Sequence, residues 1–331
     1  MATRPSGAAA EYTHFAGSSV PAHYGDPAAE HTALMKGAAV VDLSYRPILR
    51  LSGKDPVGML NAVLTNDVPA DEGRGVYALL LNPKGRVQAG LRVLKSGEEV
   101  LISTEPEGSE AAREILGRYA PFSRVKVDET GWGTLGVYGP LATGLLDGLK
   151  LDEHETSMVE VGGTSVLAAG VRHPVPGYDL IGPPDELETA NERLVENRAS
   201  PAGIHAYETL RVESATPRFG SDITPENFPA EAGILERAVS FAKGCYPGQE
   251  TVARMHYRGH PNRALHRLKI EGAAPPPGTP ILQNEKQVGR ITSIASLPIG
   301  GETIALGYLH RKADVGGELH AGETSLTKLS R

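Results

Sequence analysis

The only cysteine of this 331-residue chain, Cys245, lies in Lys243-Gly244-Cys245-Tyr246-Pro247-Gly248-Gln249-Glu250. A lone thiol can serve as nucleophile, ligand or redox group, and in each role the thiolate is the working form. Gly244 and Gly248 admit backbone conformations that a Cβ opposes. Pro247 fixes its own φ and restrains Tyr246, so the stretch reads as a shaped loop. An extended run from Lys243 to Cys245 sends both side chains to one face, where the ammonium favours the thiolate. Burial as a small apolar side chain is the commoner fate of a free cysteine. The framing glycines and the lysine argue for presentation instead, so Cys245 is the candidate functional thiol and Lys243 its tuning group.

Other constellations carry less. Cys245, His256 and His260 form a possible metal trio, but Gly259 and Pro261 interrupt a helix through His260, and no stably bound metal is expected. A Cys245–His pair has no orienting third group in sequence, which leaves hydrolysis unsupported. Gly162-Gly163 sits between strand-like pieces, not before a helix, so it is no phosphate loop. From Lys243 to Lys269 six basic residues face the one acid Glu250, a local balance of +5 on a chain of net charge −7. That segment suits an anionic ligand or partner. With one aromatic, Tyr257, among the arginines, nucleic acid is not the expected ligand.

With 40% hydrophobic and 22% charged residues the composition is that of a globular chain with a substantial core. One cysteine excludes an internal disulfide and a cluster held by four thiolates of one chain. The first twenty residues carry Arg4 but no apolar run, and no stretch approaches the roughly 18 apolar residues of a membrane span. A cytoplasmic, membrane-free protein is the expectation.

The positioning elements follow from periodicity. Residues 1–20, rich in Ala, Gly and Ser, are expected to be a mobile tail. Leu34, Met35, Ala38 and Val41 fit a helix running into a strand at Val40, and Ile48 to Leu51 continues as strand. A turn at Ser52-Gly53-Lys54-Asp55-Pro56 leads to a helix with Val57, Leu60 and Val63 on one face. Tyr77–Leu81 and Val87–Leu94 read as a hairpin about Asn82-Pro83-Lys84-Gly85, followed by a strand at Val100 and a helix from Gly108 to Tyr119. A second cycle runs from a strand at Trp132–Tyr138 through a helix at Leu141, Leu145 and Leu146 to strands over 159–169. Charged and apolar spacing predicts helices over 183–197 and 206–212. Five short strand-like pieces after residue 263, around Pro275-Pro276-Pro277-Gly278, suggest a small β-barrel.

The cysteine stretch resembles the K-G-C-Y-x-G-Q-E signature of the YgfZ family, folate-binding relatives of the glycine-cleavage T-protein that act in iron-sulfur protein maturation. Leu51-Ser52-Gly53-Lys54-Asp55, Leu64-Thr65-Asn66-Asp67, Leu80 to Arg86, Leu210 to Glu213 and Pro217 to Ile223 agree with it as well. The resemblance implies an α+β, T-protein-like fold: two interleaved α/β domains around a central folate cavity, plus a C-terminal β-barrel. On that pattern, residues 21–50 with 131–220 and 51–130 with 221–262 are the two domains, and 263–331 the barrel.

It further implies tetrahydrofolate or a derivative as cofactor, with iron-sulfur client or assembly proteins as partners. Glu213 and Arg211 are similar to the relatives' folate-pocket segment, and a carboxylate can take two N–H bonds from an aminopyrimidine edge. Asp179, in Gly177-Tyr178-Asp179, resembles a second pocket position more loosely. Tyr246, Gln249 and Arg254 are candidates from the signature and the basic segment, Arg254 for an anionic glutamate tail. Where the T-protein carries a paired aspartate that handles the one-carbon unit, this chain has Ala89-Gly90. A positioned acid or base is worth ~10²–10⁴ in rate, so aminomethyl transfer by that route is disfavoured. The expectation is a folate-binding assembly factor working through Cys245, with a folate-dependent one-carbon transferase or demethylase as the alternative.

Overall fold

The computed structural model describes residues 10–314 and 316–329. It opens with a hairpin, β1 (Glu11–Phe15) and β2 (Ser18–His23), turned at Ala16-Gly17, both at positive φ as a two-residue hairpin turn requires. Residues 11–20 were expected as mobile tail and are paired strand instead; the first nine residues lie outside the described ones. Ala and Ser are weak strand signals, and it is the apolar face of Val20 and Ala22, buried against the body, that fixes the hairpin.

Next come α1 (Pro27–Lys36), capped by the Asp26 carboxylate, and β3 (Ala39–Asp42). β4 (Ile48–Gly53) leads to α2 (Pro56–Val63), capped by Asp55, and then to β5 (Gly75–Leu81), β6 (Val87–Ser96) and β7 (Glu99–Thr104). α3 (Pro106–Ser123) outruns its expected end at Tyr119, because Leu116 and Ala120 continue its buried stripe, and β8 (Val125–Glu129) follows. These strands form a five-stranded antiparallel sheet in the order β5-β6-β7-β4-β8. One core, from Leu49, Leu60, Leu91, Ile102 and Leu116, packs α2 and α3 on it.

β9 (Gly133–Tyr138) is followed by the short α4 (Ala142–Leu145), β10 (Thr156–Val161), β11 (Thr164–Val171), β12 (Gly177–Gly182), α5 (Pro184–Glu196) and β13 (Ser200–Pro201). They make a second sheet, β10-β11-β12-β9-β3-β13, whose one parallel pair joins β13 to β3. The five-stranded sheet, spanning 48–129, is thus inserted between β3 and β9 of the six-stranded one. α6 (Ile204–Glu213) is buried along most of its length, against α1, β2 and the last module.

After α7 (Leu235–Ala238) and α8 (Gln249–Arg258), strands β14 (Arg263–Glu271), β15 (Pro280–Gln283), β16 (Lys286–Ile294), β17 (Thr303–His310), β18 (Leu319–Ala321) and β19 (Thr324–Lys328) close into a barrel. Five of the six are readable as strand-like pieces. The sixth, β19, pairs with β14 to complete the ring around Leu268, Ile281, Ile291 and Leu309. The fold is therefore of mixed α and β content, with a closed six-stranded C-terminal barrel, as the resemblance implies. No helix among the described residues is long and apolar enough to cross a membrane.

Candidate functional site

Both sheets and α6 contribute to a central cavity of about 930 Å³, its open mouth included. Tyr77 on β5, Gly90 and Arg92 on β6, and Thr104 on β7 come from one sheet; Tyr138 on β9 and Asp179 on β12 come from the other. Arg46, Glu105, Glu153, His154, Arg218 and Arg237 reach in from connecting segments and helix ends. Loops and strand ends around a rigid frame are where ligand sites are commonly built.

Each carboxylate on this wall is already paired. Glu105 takes Arg46 at 2.8 Å and Arg218 at 3.4 Å, while Glu153 takes Arg237 at 3.1 Å. Asp179, buried, accepts from the guanidinium of Arg92 on one oxygen and from the Tyr138 hydroxyl on the other. Burial, reinforced by Arg92 and Arg237, lowers His154 to about 3, so its imidazole is neutral and its Nδ1 accepts from Arg92 Nε at 3.2 Å. Burial also lowers His173 and pushes Tyr77 up to about 12 despite the opposing charge of Arg237. The wall thus holds neutral phenols, a neutral imidazole and charge-paired arginines.

Of the residues singled out from sequence, Asp179 and Arg211 line this cavity. Arg211 is spent within the protein: Nε on Glu208 at 2.8 Å, Nη1 on Asp222 at 2.6 Å, and Nη2 on Ser293 of the barrel at 2.8 Å. It rivets α6 to the barrel. Glu213 ends α6 outside the cavity wall, with its carboxylate 3.2 Å from His31 Nε2 on α1, so it is not placed to take a pterin there. Arg254 is exposed on α8, and Gln249 starts that helix; neither lines the cavity.

The signature loop lies elsewhere and works differently. Cys245 is free and exposed. Tyr246 is buried beneath it, in a core with Leu79, Leu81, Phe219 and Ile234. The stretch before Gly248 bends and is not an extended strand, so the expected Lys243–Cys245 face does not form. The Lys243 ammonium instead donates to the carbonyls of Leu64 and Asn66, both at 2.8 Å, and burial lowers its pKa. Asn66 in turn donates through Nδ2 to the carbonyls of Tyr77 and Arg237, at 3.0 and 3.1 Å. Thr65 donates to Ala238 at 2.6 Å. Two side-chain steps therefore run from the signature lysine to two cavity residues. Gly248 holds a φ of 82° where a Cβ would meet Asn82 O at 2.6 Å, which is why glycine precedes α8 there.

The Cys245–His256–His260 trio does not assemble on a helix face, since α8 stops at Arg258 and His256 stacks on Phe241 at 4.0 Å. No group of three or more His, Cys, Asp or Glu among the described residues is disposed to hold a metal ion. The basic segment is also divided: Arg263 pairs with Glu231 and Lys269 with Glu302. Sequence reasoning missed Arg46, Arg92, Glu105, Glu153, His154 and Arg237. They are scattered over the chain with no common spacing, whereas Gly90, Arg211, Pro217, Arg218 and Phe219 fell within stretches singled out for the family resemblance.

The chain thus combines two mixed α/β units and a closed barrel with a central polar cavity whose wall charges are mutually paired. Comparison with known families is specific: the glycine cleavage T-protein N-terminal domain matches residues 1–243 and the T-protein C-terminal barrel domain residues 263–324. The chain belongs to the glycine cleavage T-protein family. It is 30% identical to an aminomethyltransferase of Synechococcus sp. over 92% of this chain and 88% of that one. It is 28% identical to an aminomethyltransferase of Thermus thermophilus, over 92% and 89%. The fold is shared with the crystal structure of the glycine cleavage system aminomethyltransferase T from Bartonella henselae, at a TM-score of 0.85 and 21% identity, covering 98% of this chain and 94% of that one.

Proposed function

We propose that the central cavity binds a tetrahydrofolate and that the protein acts as a folate-dependent one-carbon transferase. The relatives named aminomethyltransferase, matched over nearly the whole chain, support this reading. The observation that carries it is the cavity's lining, whose aromatic rings and arginines suit a flat heterocycle and an anionic tail. Tyr138 and Tyr207, stacked at 5.7 Å, offer aromatic surface, and the Arg46 guanidinium lies 5.8 Å from the Tyr207 ring. Bound folate would supply the carbon carrier; this chain's residues orient it and keep the reacting end away from water.

The wall has no unpaired carboxylate, and Ala89-Gly90 cannot supply one. Any transfer here therefore proceeds without a base at that position. The test is calorimetric titration of the purified protein with tetrahydrofolate, alongside an assay for methylenetetrahydrofolate formed from an aminomethyl donor. Binding with turnover supports the transferase reading. Binding without turnover leaves a folate-dependent role of another kind, and absence of binding removes folate altogether.

A second reading, folate-linked assembly or repair of iron-sulfur enzymes through Cys245, is favoured by one observation, the exposure of the only thiol on a loop whose Lys243 is anchored to backbone carbonyls. Complementation of an iron-sulfur maturation defect by the wild-type chain but not by Cys245→Ser would support it. Equal complementation by both would sink it.

A further inference from the structure

Position 90 on the cavity wall is glycine, and Tyr77 occupies the space beside it. A Cβ built on Gly90 would lie 2.3 Å from the phenol oxygen. The two residues sit on paired strands, Gly90 opposite Leu79 and Tyr77 opposite Arg92, so the ring crosses the hairpin diagonally to reach the gap. Asn66 takes the Tyr77 carbonyl, whereas no protein group among the described residues hydrogen-bonds the hydroxyl. Burial keeps that hydroxyl protonated well past neutrality.

The neighbouring groups add to the same side of the balance. Glu105, Glu153 and Asp179 are taken by arginines. Two of the four buried side-chain atoms that lack a partner among the described residues are the Nε–H donors of Arg218 and Arg237. Arg237 also stands 5.7 Å from the Tyr77 ring. On the cavity wall the Tyr77 hydroxyl and the Nε–H groups of Arg218 and Arg237 thus hold unspent donor capacity, which an acceptor on a ligand satisfies.

We propose that the Tyr77 hydroxyl, lodged in the space vacated at Gly90, selects the one-carbon substituent of a bound folate by donating to an acceptor oxygen. The cavity then prefers a formyl-bearing tetrahydrofolate to one bearing a methyl group. This deepens the folate reading above and rests on it. A methyl of similar size in the same place would leave the phenol O–H unpaired, a difference of about tenfold or more in affinity. An aliphatic or carboxylate side chain at position 90 would displace the phenol and remove the preference.

Calorimetric titration of the full chain with tetrahydrofolate, 5-formyltetrahydrofolate and 5-methyltetrahydrofolate tests this, for wild type, Tyr77→Phe and Gly90→Ala. Tyr77→Phe keeps the ring and its packing, so it is the informative variant even if Gly90→Ala fails to fold. Wild type is expected to bind the formyl form about tenfold more tightly than the methyl form, and Tyr77→Phe is expected to lose that preference. Equal affinity of wild type for the two substituted forms overturns the inference, as does a preference that survives in Tyr77→Phe. Uniform weakening of all three ligands by Tyr77→Phe overturns selection too, since it assigns the hydroxyl to general positioning. Failure of wild type to bind any of the three brings down the folate reading, and this inference falls with it.

Discussion

The cavity wall and the signature loop are built on opposite principles. The wall gathers charged side chains that are far apart in sequence and neutralises them pairwise out of water, as with Arg92 and Asp179, 87 residues apart. The loop concentrates its distinctive residues in eight consecutive positions and leaves the thiol exposed. One region invests in buried electrostatics, the other in backbone shape. The bridge between them is Lys243, whose ammonium holds the segment that fixes Tyr77 and Arg237. The loop thus bears on the cavity from behind, through carbonyls.

The sharpest break in that contrast comes from Arg211. Replacing it with Met strands the buried carboxylates of Glu208 and Asp222 and cuts the tie to Ser293. Removing one partner of a buried ion pair costs about 3–5 kcal/mol, so Arg211→Met is expected to lower the urea midpoint steeply or to yield insoluble protein. A midpoint within experimental error of wild type would show that the barrel and α6 are held without this rivet.

Next in size is the pH response of the wall. His154 titrates near 6.5 in the unfolded chain and at about 3 in the fold. Between those values the unfolded chain binds a proton that the folded one refuses. Stability is therefore fully present above about 6.5 and is lost as pH falls, by up to about 1.4 kcal/mol per unit. Urea unfolding from pH 7 to pH 4 should show that slope, and His154→Gln should flatten it. An unchanged slope in the variant would mean that other groups govern acid unfolding.

Much of the frame was readable beforehand, and the reason is local. The hairpin of β5 and β6 is announced by Asn82-Pro83-Lys84-Gly85, where Asn82 Oδ1 accepts from Lys84 N at 3.0 Å, a side-chain turn signal within three residues. Helix α2 is announced by Asp55-Pro56, cap and first turn together. The site was far less readable. Gly90 shows in sequence that a carboxylate is missing, but only the diagonal packing across β5 and β6 shows that a phenol fills the gap. Glu213 had the matching flanks for a ligand, yet it is the last residue of α6 and meets His31. Pairings set by tertiary packing leave no period or spacing behind them.

The bridge itself is tested by Lys243→Met, which retains the aliphatic stem and removes the charge-assisted bonds to Leu64 and Asn66. Because the ammonium is half-buried, the expected loss is about 1–2 kcal/mol. It should come with weakened tetrahydrofolate binding, because Asn66 no longer holds Tyr77 and Arg237 in register. Lost stability with folate affinity intact would confine Lys243 to scaffolding and uncouple the two regions.

The smallest effect is expected at the thiol. Cys245 is exposed, and the packing of its loop comes from Tyr246 beneath it and Lys243 behind it. Cys245→Ser should therefore shift the urea midpoint by less than about 0.5 kcal/mol in stability and leave tetrahydrofolate affinity unchanged. Such silence in both readouts is what separates a presented group from a structural one: any loss in an iron-sulfur complementation assay would then belong to the sulfur's chemistry and not to the fold. A marked loss of stability or folate affinity would place the thiol inside the same load path as Lys243, and the division between cavity and loop would no longer hold.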